Sequence, residues 1–154
     1  SVCGKIANKE WSKKIYKKAE DKAKDCLDLI SLAERIHEKF SDKDWAKKIY
    51  KKAEEKAEDS EGFCNLANSI HGKLCNNEKA KKLYKIAEEK AEYSWEFCSL
   101  ADSIHESLKD KEWAKEFYVK AEEKAEDSED FCDLANSIHK ILQSFNNENI
   151  DSLF

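Results

Sequence analysis

Between Phe63 and Leu74 the apolar side chains fall at Phe63, Leu66, Ala67, Ile70 and Leu74, at offsets 0, 3, 4, 7 and 11. At 3.6 residues per turn these positions form one stripe along a helix. A second stripe runs through Trp45, Ala46, Ile49, Tyr50, Ala53 and Ala57, at offsets 0, 1, 4, 5, 8 and 12. Lys51, Lys52, Glu54, Glu55 and Lys56 cover its opposite side, as on a solvated face. The first pattern returns from Phe97 to His105 and from Phe131 to His139, and a worn copy runs from Leu29 to His37. The second begins again at Trp11, Lys79 and Trp113. The four histidines stand 34 residues apart (71 − 37, 105 − 71, 139 − 105), so the chain is an array with that period.

We call the Phe/Leu/Ile/His helices A and the Trp/Tyr/Ala helices B. The alternation predicts helices over about 9–25, 27–40, 43–59, 61–75, 77–92, 95–109, 111–126 and 129–143. A half repeat at 1–8, with Cys3 at the histidine position, precedes them, and a tail or cap at 145–154 follows. Asp42, Asn77 and Asp110 before the B helices, and Ser60, Ser94 and Ser128 before the A helices, are preferred N-cap types. A helix with one apolar stripe cannot bury it alone, so stacked pairs over 1–144 are expected to share one continuous core. The expected fold is an all-α solenoid of antiparallel helix pairs.

Composition agrees with this. The 154 residues include no proline, three glycines and 40% charged residues, as in a nearly all-helical chain. The net charge of −5 comes from 33 acidic and 28 basic residues, well mixed, without the concentrated basic face of a nucleic-acid binder. No apolar run has membrane-spanning length and no signal-peptide pattern is legible. The first residue is serine, as in a processed chain or a fragment. Cys64, Cys98 and Cys132 recur once per repeat, at a helix spacing of roughly 8–10 Å. That exceeds the reach of about 7 Å that a disulfide allows, and the six cysteines leave the compartment open.

A 34-residue helix–turn–helix unit of this kind resembles the tetratricopeptide repeat over about residues 9–143. The family's Trp-x2-Leu-Gly-x2-Tyr is matched by Phe63-x2-Leu66-Ala67-x2-Ile70, and its Ala-x3-Phe by Ala46-x3-Tyr50. The usual Gly is Ala here, the repeat-ending Pro is missing, and the A-to-B connection is one residue longer. The resemblance implies a right-handed superhelix whose A helices line a concave, peptide-binding groove. It maps groove-facing positions onto Cys64, Asn68 and His71; Cys98, Asp102 and His105; Cys132, Asn136 and His139; and Ile30, Glu34 and His37. The Lys/Arg clamp that some relatives use for a terminal carboxylate is missing. The expected partner is therefore a neutral or mildly basic segment, with neither nucleic acid nor membrane involved.

Tyr93 and Trp95 sharpen the groove reading. Trp11, Trp45 and Trp113 share one repeat position, expected in the core, whereas Trp95 stands where Glu61 and Glu129 stand, and Tyr93 where Asp59 and Asp127 stand. Aromatics in place of charges are candidate interface anchors. A soft metal held by His37, His71, His105 and His139 is a weaker reading, since no two ligands are closely spaced in sequence. Cys64 and His71 lie roughly 10 Å apart along their helix, too far to act as nucleophile and base. The expected function is a cofactor-free, non-enzymatic scaffold for a protein or peptide segment. The alternative is a structural subunit that assembles end to end, because neither terminal helix presents a polar outer face. In a third account the tail residues Phe145, Ile150, Leu153 and Phe154 cap the last helix.

Overall fold

The computed structural model describes the backbone from Val2 to Asp151 and the side chains from Asn8 to Gln143. Cys3, Phe145, Ile150, Leu153 and Phe154, invoked above, have their side chains outside the described residues. Among the described residues the chain is all-α. Its helices are α1 (Val2–Lys22), α2 (Cys26–Phe40), α3 (Lys43–Lys56), α4 (Ser60–Leu74), α5 (Asn77–Lys90), α6 (Ser94–Leu108), α7 (Lys111–Lys124) and α8 (Ser128–Asp151). The A helices are α2, α4, α6 and α8; the B helices are α1, α3, α5 and α7. The tightest packing joins α2 to α3, α4 to α5 and α6 to α7, and successive A helices touch as well.

The B helices end two to three residues earlier than expected, at Lys22, Lys56, Lys90 and Lys124, and two boundaries differ by more. The expected break between a half repeat at 1–8 and the first helix is absent, because α1 runs through it. One glycine, Gly4, costs a helix only about 1 kcal/mol, and no proline or cap interrupts the run. At the other end α8 continues past Leu142 to Asp151 where a tail or cap is expected.

The caps hold the turns. Asp42, Asn76 and Asp110 accept hydrogen bonds from the Trp45, Lys79 and Trp113 amides at 3.0–3.1 Å, so the cap of α5 is Asn76 and the expected Asn77 is its first helical residue. Asp25 and Asp59 do the same for Asp28 and Gly62, at 2.8 Å each. Ser60, Ser94 and Ser128, expected as caps, are instead the first residues of their helices. Before Ser60 and Ser128 the aspartate one position earlier, Asp59 or Asp127, accepts the cap bond, and the Ser94 hydroxyl donates to the Ala121 carbonyl at 2.9 Å, tying α6 to α7. At α6 the cap residue is Tyr93, whose side chain makes no cap bond. There the buried Glu96 carboxylate takes the Glu92 and Tyr93 amides at 2.7 and 3.0 Å.

Each early A helix ends on a left-handed residue: Ser41, Cys75 and Lys109, at φ 53°, 52° and 56°. The Ser41 and Cys75 amides close the last turn on the His37 and His71 carbonyls. No side chain at these positions is glycine, so each carries a steric cost.

The core lies between A and B helices. Ile36, Ile49, Leu66, Leu83, Leu100, Ile104, Tyr84 and Phe117 are fully buried, each contributing about 1.5–3 kcal/mol. Trp45 and Trp113 are half-buried against it, but Trp11, expected with them, is exposed. Its helix packs on α2 and has no earlier A helix against it among the described residues.

Relief of the left-handed strain is testable. Cys75→Gly is expected to raise stability by about 0.5–1 kcal/mol, the steric relief less the entropy that glycine adds to the unfolded chain. It should appear as a higher urea midpoint at unchanged slope, and an unchanged or lower midpoint would show that the turn is unstrained.

Candidate functional site

The A-helix face that should carry the site is first a hydrogen-bond ladder. One position per repeat, Glu34, Asn68 and Asp102, meets a serine of the next A helix. Ser69 donates to Glu34 at 2.7 Å, Asn68 donates to Ser103 at 3.1 Å, and Ser137 donates to Asp102 at 3.4 Å. Each rung also holds a tyrosine of its own B helix. Tyr84 donates to Asn68 and Tyr118 to Asp102. Tyr50 reaches Ser69 at 2.8 Å and is the donor there, because the serine proton is given to Glu34. Ser107 adds a bond to Asn68 at 3.2 Å. Burial raises the Tyr50 and Tyr84 hydroxyls to about 12. Burial, then the Asp102 carboxylate, raises that of Tyr118. All three stay protonated as donors.

The stripe of thiol, amide and imidazole is therefore only partly accessible. Cys64 and Cys98 are buried, and the Cys64 thiol donates to Ser103 at 3.3 Å. Asn68 and Asp102 are half-buried in the ladder, while Cys132 and Asn136 on α8 are exposed. His105 is buried, His37 and His71 are half-buried, and His139 is exposed. His71 Nδ1 pairs with Asn77 at 2.8 Å, and His139 sits 3.0 Å from Gln143. Helical spacing gives the side of the helix on which these residues lie. It did not show that the next A helix covers the middle of that side.

The histidine ladder does not converge. Among the described residues, no three His, Cys, Asp or Glu side chains gather closely enough to hold an ion. No described helix is long and apolar enough to cross a membrane.

The aromatic pair does stand clear. Tyr93 is 61% exposed and Trp95 50% exposed. Trp95 closes one end of a groove of about 490 Å³ between α6 and α8, floored by Asp102 and Ser103 and edged by Glu106, Asp133 and Lys140. Lys140 pairs with Glu106 at 3.0 Å, so the groove stays net acidic. A matching groove of about 520 Å³ lies between α2 and α4, bounded by Leu27, Glu34, Asn68 and Lys73. Leu27 is 46% exposed and occupies the repeat position of Trp95, two repeats earlier (95 − 27). Leu27 escapes the sequence reading because it lies in the worn first copy; its signal is the alternation of apolar and acidic residues at this position, Leu27, Glu61, Trp95 and Glu129.

Two outcomes separate scaffold from site. Asn68→Ala strips the Tyr84, Ser103 and Ser107 hydroxyls of a partner and should lower unfolding free energy by about 1–3 kcal/mol. Asn136→Ala, at the exposed equivalent, should stay within about 0.5 kcal/mol in the same urea titration. Equal effects would remove the ladder as a source of stability.

The thiols separate as well. Burial first, then nearby aspartates, raises Cys26 and Cys98 from 9.0 to about 11. Their folded state favours the neutral thiol, so the stability they confer is full below pH 9 and is lost as pH rises to 11. At pH 8 an alkylating reagent should modify exposed Cys75 and Cys132 at least about tenfold faster than Cys26, Cys64 and Cys98. Uniform labelling, read by peptide mass, would contradict the burial.

No protein-family model, no curated protein and no solved structure matches the chain.

Proposed function

We propose that the chain is a right-handed, tetratricopeptide-like α-solenoid that holds an extended protein or peptide segment across its A helices and carries out no reaction. Support for the repeat comes from the A-helix starts at Cys26, Ser60, Ser94 and Ser128, spaced by 34 residues like the sequence pattern (60 − 26, 94 − 60, 128 − 94). The observation that carries the binding reading is the pair Leu27 and Trp95, two exposed apolar side chains at one repeat position, each beside a groove between A helices. Two helix spacings separate them, roughly 20 Å. An extended segment spans that in about six residues. The partner is neutral or mildly basic, because Asp102, Glu106 and Asp133 outweigh Lys140 beside Trp95. Tyr93 flanks the tryptophan, while Asn136, Cys132 and His139 offer polar contacts on α8.

Selection of a random peptide library against the chain is expected to enrich sequences with two apolar residues about six positions apart and a net positive charge. Trp95→Ala and Leu27→Ala should each weaken an enriched peptide by about 2 kcal/mol, near thirtyfold in fluorescence polarisation. Parent-like affinity in both variants would show that the anchors only pack.

A further inference from the structure

The two end helices expose the residues that interior helices bury against each other. Phe97 of α6 is 6% exposed and stacks on Phe117 of α7, ring centroids 6.3 Å apart. The residue matching Phe97 on α8 is Phe131, 49% exposed, and the residue matching Phe117 on α1 is Ile15, 47% exposed. Ile49, at the same position of α3, is fully buried. Leu142 on α8 and Trp11 on α1 extend the two faces.

The same two ends carry an unmatched charge series. Glu20, Glu54 and Glu88 share one repeat position, and each receives a donor from the next B helix. Glu20 binds Lys52 and the Trp45 indole, Glu54 binds Lys79, and Glu88 binds Lys120. The next in the series is Glu122 of α7, which is exposed. The α1 residues at the positions of Trp45 and Lys52 are Trp11 and Lys18, also exposed.

The helix ends point the same way. α2, α4 and α6 end at Phe40, Leu74 and Leu108, but α8 continues as helix past Leu142 to Asp151. Residues up to Asp151 therefore continue along the axis and do not fold across the Phe131 face. α1 likewise begins at Val2, ahead of Lys9, the position matching the start of α3 at Lys43. In an antiparallel pair these two overruns lie side by side.

We propose that α1 of a second copy docks on α8, with Ile15 against Phe131 and with Trp11 and Lys18 at Glu122, continuing the A–B alternation from chain to chain. The contact joins two different surfaces, so each added copy leaves one face of each kind open, and linear chains grow unless a ring closes. The inference rests on burial and helix positions and is independent of the peptide-binding reading.

The test uses variants that block one end. Light scattering on the parent chain should show mass rising with concentration. Trp11→Glu with Ile15→Glu blocks one face, and Phe131→Glu with Leu142→Glu blocks the other. All four residues are exposed in the single chain, so each variant should keep the parent's circular dichroism and stay monomeric alone. Mixed in equal amounts, the two variants should form a 1:1 pair and nothing larger, because one intact face of each kind remains. A charge exchange gives a second measure. Glu122→Lys or Lys18→Glu alone should weaken association about twofold to fivefold, and both changes in one chain should restore it. A parent that stays monomeric at every concentration, or blocked variants that self-associate as the parent does or fail to pair, would overturn the proposal.

Discussion

Close approach of A and B helices across buried alanines is the constraint on which the other contacts depend. Ala33, Ala67 and Ala101 on the A helices and Ala46, Ala80 and Ala114 on the B helices are all nearly or fully buried, in the helix pairs that pack most tightly. A methyl group as the largest side chain there allows two helices to approach at the lower end of the usual 8–10 Å spacing. Ile49 on α3, Leu83 on α5 and Phe117 on α7 are buried in the same core. The short separation also lets Tyr84 and Tyr118 reach through to Asn68 and Asp102 on the neighbouring helix. A larger residue at any of these alanines would push the helices apart and break hydrogen bonds as well as packing.

Because the tyrosines reach through, the polar residues of the A-helix face have divided duties. Asn68 is saturated by its neighbours: its carbonyl oxygen accepts from Tyr84 and Ser107, and its amide donates to Ser103. Such a side chain fixes the spacing of two A helices and has little capacity left for a ligand. What remains accessible lies at the helix starts, where Leu27, Tyr93 and Trp95 stand out of the packing. Tyr93 occupies a cap position filled by aspartate at Asp25 and Asp59, and the Glu96 carboxylate holds this helix start by accepting from the Glu92 and Tyr93 amides.

Much of this architecture was legible in the residues. Helix type and position followed from apolar spacing, because a 3.6-residue stripe has few other uses at this charge content. Cap positions slipped by one at Asp59–Ser60, Asn76–Asn77 and Asp127–Ser128, where two good caps stand side by side and only the backbone decides between them, and at α6, where Tyr93 precedes Ser94. The burial of Cys64, Cys98 and His105 was not legible, because periodicity gives the side of a helix and not what covers it. The single run of α1 was missed for a related reason: a repeat boundary was expected where helix-forming residues simply continue.

Among the described residues the main helix packing joins elements adjacent in the chain or one removed, such as α2 with α3 and α4, or α6 with α7 and α8, and does not tie an element near the start to one near the end. The chain therefore has little long-range loop closure to achieve when it folds, and its opening is graded instead of all-or-none. On this packing, amides of α1 and of the outer turns of α8 should exchange with solvent first and those of α4 and α5, flanked on both sides, last.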